Sequence, residues 1–116
     1  MTPTMKTVGA FYEAFGAKDW KKLRSLITDD FTFRGALSTF NGPAEFIAGM
    51  SQMPFEGVPE GSRFMVDGNR VAHAFTWKLT APTKAEIPMC EVLEVEGGKV
   101  RSSELFFDSK LFPTPG

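Results

Sequence analysis

Val71-Ala72-His73-Ala74-Phe75-Thr76-Trp77-Lys78-Leu79 decides how this chain folds. Val71, His73, Phe75, Trp77 and Leu79 fall on alternate positions, against Ala72, Ala74, Thr76 and Lys78. A period of two belongs to a strand that turns one face to a core. Just upstream, Asp67-Gly68-Asn69 has the residue types that a tight hairpin turn demands, and Phe64-Met65-Val66 supplies a short partner strand. Downstream, a loop with Pro82 leads to Ala85-Glu86-Ile87. Met89 to Glu96 then alternates again, with Glu91, Leu93 and Val95 against Cys90, Val92, Glu94 and Glu96. Gly97-Gly98 is a hairpin turn. Lys99 to Asp108 follows as a last strand, with Ser103, Leu105 and Phe107 opposite Glu104, Phe106 and Asp108. The tail from Leu111 to Gly116 is expected to be loose.

Toward the N-terminus the period changes. Val8, Phe11, Tyr12 and Phe15 are spaced as one face of a helix over about residues 4–16, with Thr4 placed to cap it and Gly16 to end it in a left-handed conformation. Asp19 can cap a second helix whose stripe is Trp20, Leu23, Leu26 and Ile27, and Thr28-Asp29-Asp30 closes the pair. Phe31-Thr32-Phe33-Arg34 reads as a short strand. Asn41-Gly42-Pro43 opens a third helix, with Pro43 in the first turn where its missing N–H costs nothing. Phe46, Ile47, Met50 and Met53 form its apolar face, and Pro54 ends it. Helices gathered at the front with about four hairpin-joined strands behind predict an α+β domain: three N-terminal helices packed on one face of a curved, mostly antiparallel sheet.

The bulk properties narrow the function. The chain has 116 residues, which predicts a single domain over 1–116. Its net charge of -1, from 13 basic and 14 acidic residues, gives no electrostatic case for nucleic acid or for an anionic membrane. No segment reads as a signal peptide or a membrane span, so a cytoplasmic location with Cys90 reduced is expected. One cysteine excludes an internal disulfide, and one histidine with scattered carboxylates gives no metal-ligand spacing. Neither a metal nor an organic cofactor is expected. The 12 Phe residues, with 2 Trp and 1 Tyr, suit a deep apolar lining.

Several stretches resemble the nuclear-transport-factor-2-like family, which includes ketosteroid isomerases, SnoaL-like polyketide cyclases and scytalone dehydratase. They are Phe11-Tyr12-Glu13-Ala14-Phe15-Gly16-Ala17-Lys18-Asp19-Trp20, Ile27-Thr28-Asp29-Asp30-Phe31-Thr32-Phe33, Asn41-Gly42-Pro43-Ala44, Gly68-Asn69-Arg70-Val71-Ala72 and Gly97-Gly98-Lys99-Val100. The resemblance covers nearly the whole chain and implies the cone fold, with the sheet forming a cone-shaped pocket. It does not carry over the steroid isomerase site. Gly35 stands where that site has its aspartate base, Phe11 and Met50 stand where it has tyrosines, and Glu91 alone matches its protonated acid. Scytalone dehydratase needs two histidines where this chain has one, and the Asp-Arg-Asp relay of a limonene-epoxide-hydrolase-like site cannot be assembled on inward positions.

Glu91 is the sharpest candidate. It shares a strand face with Leu93 and Val95, and a carboxyl in an apolar cavity has its pKa raised because charging it there is costly. It would serve as an acid or hydrogen-bond donor, with His73 as the second catalytic candidate. Phe11, Tyr12, Phe15, Phe33, Met50, Phe75, Trp77, Leu93, Ser103, Leu105 and Phe107 are expected to line the ligand site. Tyr12 reads as a helix-edge residue with its hydroxyl near the cavity mouth. Cys90, Val92 and Phe106, beside Ala72, Ala74 and Thr76, make the outer sheet face less polar than a free surface, with Lys78, Glu94, Glu104 and Asp108 at its rim; a homodimer through that face is expected. The residues thus point to an apolar small-molecule ligand. One class of function is a cofactor-independent isomerase, cyclase or dehydratase working by proton transfer. The other is a non-catalytic binding or dimeric interaction module.

Overall fold

The architecture follows from where each apolar stripe finds cover, in a computed structural model that describes residues 2–113. Helices α1 (Pro3–Gly16) and α2 (Trp20–Ser25) come first, then strands β1 (Ile27–Arg34) and β2 (Thr39–Asn41) and helix α3 (Pro43–Ser51). Strands β3 (Glu56–Asp67), β4 (Arg70–Ala81), β5 (Ala85–Glu96) and β6 (Lys99–Phe107) follow, with a 3-10 turn at Ser109–Leu111. The six strands form one sheet in the order β2-β1-β6-β5-β4-β3. Every pairing is antiparallel except β1 with β6, which is parallel. The α+β class therefore stands, with more strand than the periodicity showed.

Val8, Phe11 and Ala14 of α1, Leu23 of α2 and Phe46 of α3 bury against Ile27, Phe31, Phe33, Val71, Leu93, Val95 and Val100 of the sheet. Phe46 is the hub, with ring centroids 4.7 Å from Phe31 and 5.5 Å from Phe33. In β4 the expected parity holds: Val71, His73 and Leu79 are buried and Lys78 is exposed.

Several local expectations are corrected. Thr2, not Thr4, caps α1 by accepting from the Met5 amide, and the Thr4 hydroxyl donates instead to the Gly68 carbonyl. The left-handed residue at the α1–α2 corner is Lys18 (φ 55°), not Gly16. Thr28-Asp29-Asp30 closes no helical hairpin but lies inside β1, which begins at Ile27 because that side chain is needed in the core. α3 stops at Ser51, leaving Met53 outside it. The short strand expected at Phe64 is the end of a 12-residue edge strand, β3. The rest of it, nearly all exposed, carries no alternation, so the pattern gave no signal there. Ala85 to Glu96 is one strand across Pro88. In the tail, Leu111 sits in the 3-10 turn and Phe112 packs on Phe55 and Phe107, while residues 114–116 lie outside the described residues.

Two bulges set which side chains reach the inner face. In β6, Val95 pairs with Val100 and Glu94 with Ser102, so Arg101 is extra. Val100 and Ser103 both turn inward as a result, although three residues apart. In β3, Glu60 pairs with Thr76 and Arg63 with Ala74, so Gly61 and Ser62 together oppose Phe75. A bulge of this kind needs a residue that tolerates an unusual backbone, and Gly61 has φ 64°.

Candidate functional site

Strand parity puts His73 on the inner face of β4 and Glu91 on the inner face of β5, directly opposite each other in the ladder. Both are buried, at 2% and 7% exposure, although neither is a residue type that a core favours. The β6 bulge brings Ser103 beneath Glu91. Tyr12 follows Phe11 on α1, so when Phe11 enters the core Tyr12 stands on the helix edge that overlies these strands.

The result is a buried polar chain. The Tyr12 hydroxyl donates to Glu91 Oε1 at 2.6 Å, and the Ser103 hydroxyl makes a short hydrogen bond to Glu91 Oε2. Among the described residues, the carboxyl's partners are these two hydroxyls, with no arginine or lysine. Desolvation raises the Glu91 pKa, and the hydrogen bonds from Ser103 and Tyr12 oppose that rise without cancelling it. Tyr12 is likewise pushed up, first by burial and then by the Glu91 charge. The His73 imidazole is lowered to about 4 by desolvation. All three groups thus favour their uncharged forms.

Aromatic rings wall the site. His73 lies between Phe64 and Phe75, with ring centroids at 4.2 and 4.3 Å, and the Tyr12 ring meets it edge-on at 4.8 Å. His73 Nε2 is 2.8 Å from the Ser62 hydroxyl, while Nδ1 is buried without a hydrogen-bond partner.

Of the residues expected to line the ligand site, Tyr12, Phe75 and Ser103 gather around the Glu91–His73 pair. Leu105 is the ladder partner of Glu91 and is partly buried against the core. Phe11, Phe33 and Leu93 belong instead to the closed core. Phe15 packs edge-on against Trp20, and Met50 packs on the core from α3. The Trp77 indole lies over Gly57 of β3, and Phe107 is turned toward Phe112. A hollow of about 280 Å³ lies among Arg34, Gly35, Ala36 and Glu104 to Phe107. A second, of about 490 Å³, lies among Lys78, Leu79, Thr80, Lys84, Ala85 and Glu86. Neither is lined by Glu91, Tyr12 or His73. Ser62 and Phe64 were not expected at the site. An isolated glycine, Gly61, inside a strand was the available hint of the bulge that delivers Ser62.

Among the described residues, no cluster of three or more His, Cys, Asp or Glu could hold a metal ion, and no helix is long and apolar enough to cross a membrane.

The SnoaL-like domain model matches residues 8–103, which spans α1 through the Glu91 and Ser103 positions. The chain belongs to the SnoaL-like family. No curated protein sequence matches it. Solved structures with this fold include a candidate polyketide cyclase from Xanthomonas campestris, 16% identical, with TM-score 0.82 over 93% of this chain and 92% of that one. A candidate ketosteroid isomerase from Kribbella flavida is 18% identical, with TM-score 0.81 over 98% and 84%. An epoxide hydrolase of the limonene-epoxide-hydrolase-like type from M. tuberculosis is 23% identical, with TM-score 0.79 over 94% and 85%. At these identities the likeness establishes the shared fold of this SnoaL-like chain.

Proposed function

We propose that this SnoaL-like protein binds an uncharged apolar small molecule against the inner sheet face and transfers a proton through Glu91. The observation that carries the reading is the Tyr12–Glu91–Ser103 chain. With Glu91 protonated, the three groups hold three protons and share two hydrogen bonds, so one proton is free for a carbonyl or other acceptor on the ligand. With Glu91 ionised, both hydroxyls donate to the carboxylate and no proton is spare. A donor in a dry site is worth more than the same donor in water, and it needs no reorganisation when charge develops on the ligand. The reaction class is an isomerisation, cyclisation or dehydration. Steroid isomerisation of the family type is not part of the proposal, because Gly35 replaces the base.

The test uses acetophenone as a plain ketone probe, followed by NMR. Binding is expected at the acid end of a pH series and lost toward the alkaline end, as pH rises through the raised Glu91 pKa. Glu91→Gln, which keeps an acceptor toward Tyr12 and a donor toward Ser103, should bind equally at both ends of that range. Binding that ignores both pH and this substitution would sink the reading.

A second reading rests on the outer face. Met65 and Phe106 are 53% and 54% exposed there, beside Ala72, Ala74 and Cys90 on the neighbouring ladder positions. On this reading the face pairs with a second copy of the chain.

A further inference from the structure

The Ser62 bulge and the unpartnered nitrogen of His73 identify a second polar pole. Gly61 and Ser62 share the place of one residue opposite Phe75, and the extra residue lets the Ser62 hydroxyl turn inward to His73 Nε2. Bulges that re-aim a side chain recur beside functional sites. Ser62 itself is exposed, so water can satisfy whatever its hydroxyl does not give to His73.

The tautomer follows from what each choice leaves behind. A proton on Nδ1 would bury an N–H with no acceptor. A proton on Nε2 donates to the Ser62 oxygen and leaves only a lone pair unmatched. A buried donor without a partner is the costlier and rarer defect. His73 is therefore a neutral imidazole whose bare nitrogen, Nδ1, is an acceptor inside the same aromatic wall as Tyr12 and Glu91.

We infer that Ser62 is a positioning residue that holds His73 Nδ1 as the acceptor for a hydroxyl or N–H of the ligand, so that the ligand class is an uncharged molecule carrying a hydrogen-bond donor in addition to the acceptor that Glu91 engages. This deepens the proposed function and rests on it for the acceptor half. An anionic ligand is disfavoured because, among the described residues, no cationic side chain bonds to Glu91, Tyr12 or His73. Phe64, 41% exposed on the edge strand and stacked on His73, forms the exposed side of the aromatic wall around the imidazole.

The chain has one histidine, so its imidazole nitrogens can be read without ambiguity in ¹⁵N-labelled protein. At pH 7 the spectrum should place the proton on Nε2 and leave Nδ1 bare. The 2-, 3- and 4-hydroxyacetophenones at millimolar concentration are the donor probes, with their methyl ethers as controls. At least one hydroxy isomer should move the Nδ1 signal while its ether does not. Ser62→Ala should mix the two tautomers and weaken that isomer roughly 3–10-fold, the size of one net hydrogen bond, and Ser62→Thr should restore both. A proton found on Nδ1, an Nδ1 signal that no hydroxy isomer moves, or a Ser62→Ala protein with unchanged tautomer and affinity would overturn the inference. Ethers that bind as well as the hydroxy compounds would also overturn it while leaving the Glu91 reading intact. That reading fails separately, in the acetophenone titration against pH.

Discussion

Glu91 and His73 face each other with opposite pH responses, and each gives stability a slope. Burial raises the Glu91 pKa above its unfolded value of about 4.5, so its contribution is full below that pH and is lost as pH rises through the folded value. His73 is lowered to about 4, so its contribution is full above its ordinary 6.5 and is lost as pH falls from 6.5 toward 4. Urea unfolding across pH 4–9 should show both limbs. Glu91→Gln should remove the alkaline limb and leave the acid one, so that the variant gains on the parent as pH rises. A pH-independent difference between the two proteins would mean that Glu91 is ionised in the fold. The inward parity of Glu91 was plain in the sequence because Leu93 and Val95 flank it. Its bond to Tyr12 was not. Helix periodicity gives the direction of Tyr12 only relative to Phe11, and how far α1 is rolled on the sheet depends on the packing of all three helices.

At the scale of elements, the approach of α3 to β2 is set by an absent side chain. A Cβ on Gly49 would strike the Phe40 ring, which is itself held in the cluster with Phe33 and Phe46. Gly49→Ala gains about 1 kcal/mol of helix propensity, but overpacking typically costs about 1–3 kcal/mol. The variant is expected to be less stable by up to about 2 kcal/mol in chemical denaturation; a gain in stability would show that Phe40 yields freely. Elements with a buried face and a solvated face, such as α1, β4 and β5, could be read from spacing alone. β2 could not, and of β3 only Phe64 to Val66 was legible. They lie at the sheet edges, where β3 is exposed along nearly its whole length, so neither offers a contrast between faces. Bulges leave a weak mark in sequence as well, since one extra residue looks like an error in alternation, and the two found here decide where Ser62 and Ser103 point.

For the molecule as a whole, the outer sheet face provides the clearest test of assembly. Phe106 is the ladder partner of Cys90, and Met65 is that of Ala72. Glu94 sits nearby, paired with Arg70 and Arg101 at 3.6 and 3.4 Å. An apolar patch with a charged border suits a twofold contact in which each residue is used twice. Sedimentation of the parent at micromolar concentration is expected to give a dimer, and Phe106→Glu should shift it to monomer without changing the circular dichroism spectrum. A monomeric parent would retire the second reading and leave the small-molecule site unaffected.

The parallel strand pair has a consequence for how the chain comes to be folded. β6 lies between β1 and β5, so it is the only strand joining the β2-β1 pair to the β5-β4-β3 meander. Ile27 meets Val100 across 72 intervening residues, whereas each hairpin of the meander closes over a short turn. Distant pairing of this kind bears its loop-closure entropy before any contact offsets it, and it slows folding. The meander can assemble locally, while the first strand, its aromatic face already met by Phe46, must wait with one backbone edge unpaired until the sixth arrives. A ribosome making this protein therefore carries an unfinished sheet until β6 has emerged, and a chain that stops before β6 leaves the unpaired edge of β1 open to aggregation or to a chaperone.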